Sequence, residues 1–238
     1  MSAPAPRLRI VTAPRHPEGI VLLLHGGRER GFGRVRANQL AVIRMMPIAW
    51  QVARAGDRRL AVVRLQNRVR GWNRPELPPV EDARWALARV RERFGPDLPI
   101  CLIGHSMGGR SAMRVAGEKG VHSVVGLAPW LPDGEPITQL AGRQVLLVHG
   151  SKDRTTSPVE SQRFADALRA VAASISLVVV PGERHGLLRR RGIVEELTAG
   201  FARATLLGTD PAQATQTESA PVANLLQRVL AGEARLVV

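Results

Sequence analysis

Ser106 stands in the run I-C-L-I-G-H-S-M-G-G, residues 100–109. A serine hydroxyl attacks an acyl carbon only if a base takes its proton, and that base needs an acid to hold its tautomer. The run offers a setting for such a serine. An apolar stretch of strand character passes through Gly104-His105-Ser106-Met107-Gly108 into a helical pattern, the order of a nucleophile elbow. A turn this sharp strains the backbone of residue 106, so the positions two residues either side must be nearly free of side chain. Gly104 and Gly108 meet that need. The elbow lifts the hydroxyl to the C-terminal edge of the sheet. It also aims the Met107 amide, at a helix N-terminus, toward the place where an oxyanion would form. Alone, G-x-S-x-G also describes an ordinary glycine-rich turn before a helix. Two further segments supply the missing partners. Q-V-L-L-V-H-G-S-K-D (144–153) is an apolar strand and a turn ending in Asp153, and V-V-V-P-G-E-R-H-G (178–186) carries His185 in the loop after a strand. Both fall just past strand ends, on the edge where open α/β sheets place ligands.

The elements that must position these residues alternate along the chain. Short runs rich in Val, Ile and Leu read as strands at 7–11, 19–24, 60–65, 100–103, 124–127, 145–148 and 175–180. Between them lie helical stretches near 38–55, 80–94, 108–119, 158–173 and 192–206. In the second of these, Ala83, Leu87, Val90 and Phe94 recur at spacings of three and four, with arginines opposite. Such alternation predicts an α/β fold: a mostly parallel central sheet with helices on both faces. The catalytic domain is expected over 1–207. A polar Pro/Ala/Thr/Gln-rich stretch at 208–221 reads as a linker, and 222–238 as a short amphipathic segment. Val222, Leu225, Leu226, Val229 and Leu230 form its stripe, which would dock on its own domain or pair two copies in a homodimer.

With H-G-G (25–27), G-H-S-M-G-G (104–109), L-L-V-H-G-S-K-D (146–153) and P-G-E-R-H-G (181–186), the chain resembles the α/β-hydrolase family over roughly residues 7 to 206. The resemblance implies Ser106 as nucleophile, His185 as general base and Asp153 as the carboxylate that orients it. It also implies the Gly27 amide as a second oxyanion donor beside Met107, with Arg28 the alternative one residue on. His25 and His149 then occupy structural H-G turns, and His105 points away from substrate. Asp133 and Glu135, where some relatives carry the acid, stand as the fallback for Asp153. Only about fifteen residues, Pro129 to Arg143, separate two strands where many relatives insert a lid, so the cap is expected to be minimal. The pocket should be open, or covered only by loops at 28–37 and 66–79, as in the compact dienelactone-hydrolase type. The chain departs from the cysteine-nucleophile members of that type at Ser106. Arg28, Trp72 and Trp130 are expected to line the pocket.

The implied chemistry is hydrolysis of a small carboxylic ester through an acyl-enzyme, with a thioesterase or acyltransferase acting on an anionic acyl substrate as the alternative. Epoxide hydrolases and dehalogenases need a carboxylate where Ser106 stands.

The charge balance bears on partners. The 238 residues carry 34 Lys and Arg against 20 acidic groups, a net +14, and Lys119 and Lys152 are the only lysines. Arginines cluster in loops that would emerge at the site: 28, 30, 34 and 36, then 68, 70 and 74, then 184 and 189–191. They could rim the cleft and steer anionic substrates, or reflect arginine-rich coding. A non-catalytic basic binding protein on the same scaffold is the competing class. Nucleic acid is disfavoured, because only 3% of residues are aromatic and stacking platforms are scarce. A lone Cys101, expected buried and inert, excludes a disulfide framework. No metal-ligand spacing or phosphate loop occurs, so no metal and no cofactor are expected. No apolar run approaches the length of a membrane span or a signal peptide, so the chain is read as cytoplasmic.

Overall fold

The computed structural model describes residues 4–208 and 219–238. The stretch 209–218, most of the expected linker, lies outside the described residues.

Eight strands form one sheet in the order β1-β3-β2-β4-β5-β6-β7-β8. They span Arg7–Thr12, Gly19–Leu24, Leu60–Gln66, Ile100–His105, Val121–Leu127, Gln144–Gly150, Ser174–Val180 and Arg235–Val237. Only β1 runs antiparallel, against β3, at one edge. The parallel strands are buried on both faces, which is why they read as unbroken apolar runs rather than alternating ones. Ile20, Leu22 and Leu24 of β2 join the core on one face, while Val21 and Leu23 join the other. Among the described residues the α-helices are α1 (Leu40–Ile43), α2 (Met45–Ala55), α3 (Pro78–Phe94), α4 (Met107–Arg114), α5 (Pro158–Leu168), α6 (Arg191–Leu207) and α7 (Ala220–Leu230). Helices α3, α4 and α5 bury their apolar stripes in the first core, and α2, α6 and α7 bury theirs in the second. The expected α/β sheet with helices on both faces is what the chain forms.

Three elements differ from the expectation. The helix expected over 38–55 is two helices, because Pro47 has no N–H to donate to the Ile43 carbonyl and is tolerated only in a first turn. The segment expected to be linker and amphipathic tail is regular from Ala220, where Pro221 sits in the first turn of α7. Its stripe, Val222, Leu225, Leu226 and Val229, is buried in the chain's own second core, so it faces inward rather than toward a second copy. Beyond it β8 adds a strand alongside β7, pairing Val178 with Leu236. A three-residue strand gives too short a run to be read as one.

Asp82 of α3 ties that helix to the loop after β3. Its Oδ2 accepts the Arg68 amide at 2.8 Å, and its Oδ1 lies 3.0 Å from Arg68 Nη1. Burial pushes its carboxyl up to about 6, against the opposing pull of the Arg68 amide and guanidinium. The folded value lies above the unfolded one near 4, so the folded chain holds this proton more tightly, and the group's contribution to stability falls as pH rises from about 4 to 6. Asp82→Asn keeps an acceptor for the amide. It should gain on the wild type as pH rises from about 4 to 6, seen as a Tm difference that widens over that window and levels off above it. A difference that stays flat would contradict this account.

Candidate active site

Ser106 lies between β4 and α4 with φ 57° and ψ −120°, a conformation that side chains rarely adopt. The flanking glycines make the turn feasible. A Cβ on Gly104 would lie 2.2 Å from the Gly108 carbonyl oxygen, and one on Gly108 would lie 2.2 Å from that of Leu24. The Trp130 amide, just past β5, donates to the Ser106 carbonyl at 3.2 Å and pins the turn from the neighbouring strand. Among the described residues the Ser106 hydroxyl makes no hydrogen bond.

Asp153 and His185, placed by the turns after β6 and β7, meet at the same sheet edge. His185 Nδ1 and Asp153 Oδ2 are 2.8 Å apart. The carboxylate is held from several sides: Oδ1 accepts the Thr155 and Thr156 amides at 2.8 and 3.2 Å, and Oδ2 accepts the Thr156 hydroxyl at 2.8 Å. His149 Nε2 lies 3.1 Å from Oδ2, with its Nδ1 2.8 Å from the Ser161 hydroxyl. Burial alone would raise the Asp153 carboxyl. The hydrogen bonds from His149, His185 and the Thr155 amide outweigh it and hold the group well below the usual carboxylate range. Neither fallback acid takes this place: Glu135 is buried against Arg110 and Arg114, and Asp133 is exposed beside Arg163.

Sequence reasoning misses His105 and Thr156 as parts of this arrangement, and it sees His149 only as a turn residue. His105 does not point away. It lines the same cavity as Ser106, its Nε2 lies 2.9 Å from the His185 carbonyl, and the two rings sit 4.9 Å apart. Burial pushes its imidazole down to about 3, so it stays neutral and donates Nε2–H to that carbonyl. His25 has a structural part: Nε2 accepts the Asn67 amide at 3.1 Å, leaving Nδ1–H to donate to the Gly26 carbonyl at 2.7 Å. Cys101 is buried, and burial pushes its thiol up to about 12, so it stays protonated.

The choice between Gly27 and Arg28 turns on a neighbouring loop. The Arg28 amide donates to the Arg70 carbonyl at 2.9 Å and is therefore spent. Among the described residues the amides of Gly27 and Met107 have no such partner. Residue 27 must also be glycine, since a Cβ there would lie 2.5 Å from the Arg70 carbonyl oxygen and 2.4 Å from the Met107 methyl.

Ser106, His185, Gly26 and Gly27 open onto a cavity of about 540 Å³. Its cover comes from α1 and the start of α2, not from the loops at 28–37 and 66–79. Leu40, Ala41, Ile43 and Pro47, with Leu188 opposite, make it mostly apolar. The charged groups lining it are Arg44, Arg191 and Glu195, and both arginines draw on the Glu195 carboxylate. Arg28, Trp72 and Trp130 are not among its lining residues. Arg28 is exposed on the loop after β2, and the two tryptophans wall a separate cavity. Few of the clustered arginines reach the Ser106 cavity; Arg68 is drawn to Asp82, and Arg190 to the Val238 carbonyl. Among the described residues no group of His, Cys, Asp and Glu could hold a metal ion, and no helix is long and apolar enough to cross a membrane.

A strained serine at a strand–helix turn, on the edge of a largely parallel sheet that also presents a paired His and Asp, defines the α/β-hydrolase class. A model of the alpha/beta hydrolase family matches residues 21–236, and the chain belongs to that family. Similar folds include an alpha-beta serine hydrolase homologue from Coxiella burnetii, with 20% identity, TM-score 0.61, and coverage of 82% of this chain and 90% of that one. Est1E from Butyrivibrio proteoclasticus, solved with ferulic acid, has 15% identity and TM-score 0.63 over 85% of this chain and 96% of its own. The esterase domain of a Rhodothermus marinus protein has 19% identity and TM-score 0.59 over 84% and 92%. No curated protein matches the chain.

Proposed function

We propose that the protein hydrolyses a small carboxylic ester, with an apolar acyl chain, through an acyl-enzyme on Ser106. The observation that carries this is the 2.8 Å Asp153–His185 contact beside a strained Ser106, both His185 and Ser106 lining one mostly apolar cavity. With Nδ1–H given to Asp153, His185 keeps Nε2 free as a base. It takes the Ser106 proton as Oγ bonds to the acyl carbon, and the Gly27 and Met107 amides hold the resulting oxyanion. His185 then returns the proton to the departing alkoxide, and water repeats the sequence to release the acid. Among the similar folds, one is an esterase domain and another holds ferulic acid, which favours an oxygen ester over a thioester. The apolar lining favours an uncharged acyl chain over an anionic one.

Initial rates on p-nitrophenyl acetate, butyrate and octanoate test the reading. Each methylene buried in an apolar pocket contributes about 0.8 kcal/mol, so kcat/KM should rise roughly tenfold from acetate to butyrate. Replacing both Leu40 and Leu188 by serine should flatten that rise while leaving acetate hydrolysis within a few-fold. Inactivity on all three esters would sink the ester reading.

A further inference from the structure

A second cavity of about 520 Å³ shares no lining residue with the first. Its wall is built around Arg110, one turn into α4. This guanidinium is fully buried between two indoles, with Cζ 4.2 Å from the Trp72 ring centroid and 4.3 Å from that of Trp130. Glu135 takes its Nε at 2.6 Å and also its Nη2, and is shared with Arg114. Arg110 Nη1 is left with no hydrogen-bond partner among the described residues, and so is the buried Trp72 Nε1. Both groups only donate, and a buried donor seeks an acceptor.

Both atoms are closed off inside the wall, so the groups that can meet a ligand directly are those at the exposed edge. Asn73, which also lines the cavity, is committed at both ends of its amide to Gly31. Arg30 and Arg74 stand at the exposed edge, and neither side chain has an ion pair or hydrogen bond among the described residues. Glu29 is the one carboxylate among the lining residues. The remaining surface is apolar, with Phe32 75% exposed beside the indoles.

We propose that this cavity binds an organic anion: a carboxylate or phosphate group, facing Arg30 and Arg74, on an apolar or aromatic body lying against Trp130 and Phe32. Guanidinium forks match either oxyanion, and a concave cavity of this size suits a small molecule rather than a polymer. The site is independent of the ester reading, because it stands or falls on binding alone.

The chain has four tryptophans and no tyrosine, and Trp72 and Trp130 are two of the four, so Trp50→Phe/Trp85→Phe is used as the background in which emission reports the cavity. Benzoate, phenyl phosphate and neutral benzyl alcohol are titrated against this background and against the Arg30→Ala/Arg74→Ala double variant made in it, whose replaced arginine side chains are exposed and outside the core. The expected result is a saturable emission change with at least one anion. Benzyl alcohol should bind at least tenfold more weakly, and the double variant should weaken the anion at least tenfold. Tighter binding of benzoate assigns a carboxylate, and tighter binding of phenyl phosphate assigns a phosphate. Binding by neither anion, equal binding of the alcohol, or undiminished binding in the double variant would overturn the proposal.

Discussion

Ser106→Ala is expected to lower kcat on p-nitrophenyl butyrate by about 10⁴- to 10⁶-fold while leaving the fold intact. The size follows from what is removed: without Oγ no acyl-enzyme can form, and only the oxyanion donors and the cavity remain to assist direct attack by water. The fold should survive for three reasons. Alanine has the Cβ of serine and meets the same positive φ, so the strain at residue 106 is unchanged. The backbone bond from the Trp130 amide to the residue 106 carbonyl is kept. The lost hydroxyl has no hydrogen-bond partner among the described residues, so no buried group is orphaned by its removal. Rates and Tm should therefore separate, the first collapsing and the second moving by no more than a degree or two. A variant that keeps its activity would remove Ser106 from the chemistry.

The second large effect is expected from Asp153→Asn, with kcat falling on the order of 10⁴-fold. The carboxylate is an acceptor for every group around it: His185, His149, the Thr156 hydroxyl and two backbone amides. An asparagine amide nitrogen at Oδ2 would present a donor to two imidazoles. His185 would then turn its Nδ1 into the acceptor and carry its proton on Nε2, where it cannot take one from Ser106. The same substitution should change stability in a pH-dependent way. The folded Asp153 carboxyl lies below its unfolded value, so its stabilising contribution is complete above about pH 4 and is lost as pH falls toward the folded value. The Tm advantage of the wild type over the variant should be full at neutral pH and shrink in acid below pH 4. An advantage that persisted undiminished into strong acid would mean that the carboxylate is not the stabilising group.

These two effects rest on residues whose positions are legible in the sequence alone. The strands before Ser106, Asp153 and His185 are continuous apolar runs. A parallel strand covered by helices on both faces has no polar side to show, so burial writes itself into every position. Each of the three residues follows such a run by a few positions, which is enough to bring them to one edge of one sheet. Gly104 and Gly108 are equally legible, because the constraint they meet is local to a single turn.

What the sequence does not reveal is set by contacts between segments distant in the chain. Pro47 breaks the helix after β2, but where α1 then lies over the Ser106 cavity depends on packing against the rest of the fold. Whether Gly27 or Arg28 keeps a free amide is decided by the Arg70 carbonyl on another loop. His149, Thr156 and His105 look like ordinary turn residues, because their roles appear only once three strand ends converge on Asp153 and His185. Trp72 and Trp130 are aromatic groups on loops, where a pocket wall is expected, yet they close on Arg110 rather than on the serine. A sequence records periodicity and local strain, since these act between near neighbours. Which polar group satisfies which buried partner is decided only when tertiary packing removes the water that would otherwise serve all of them.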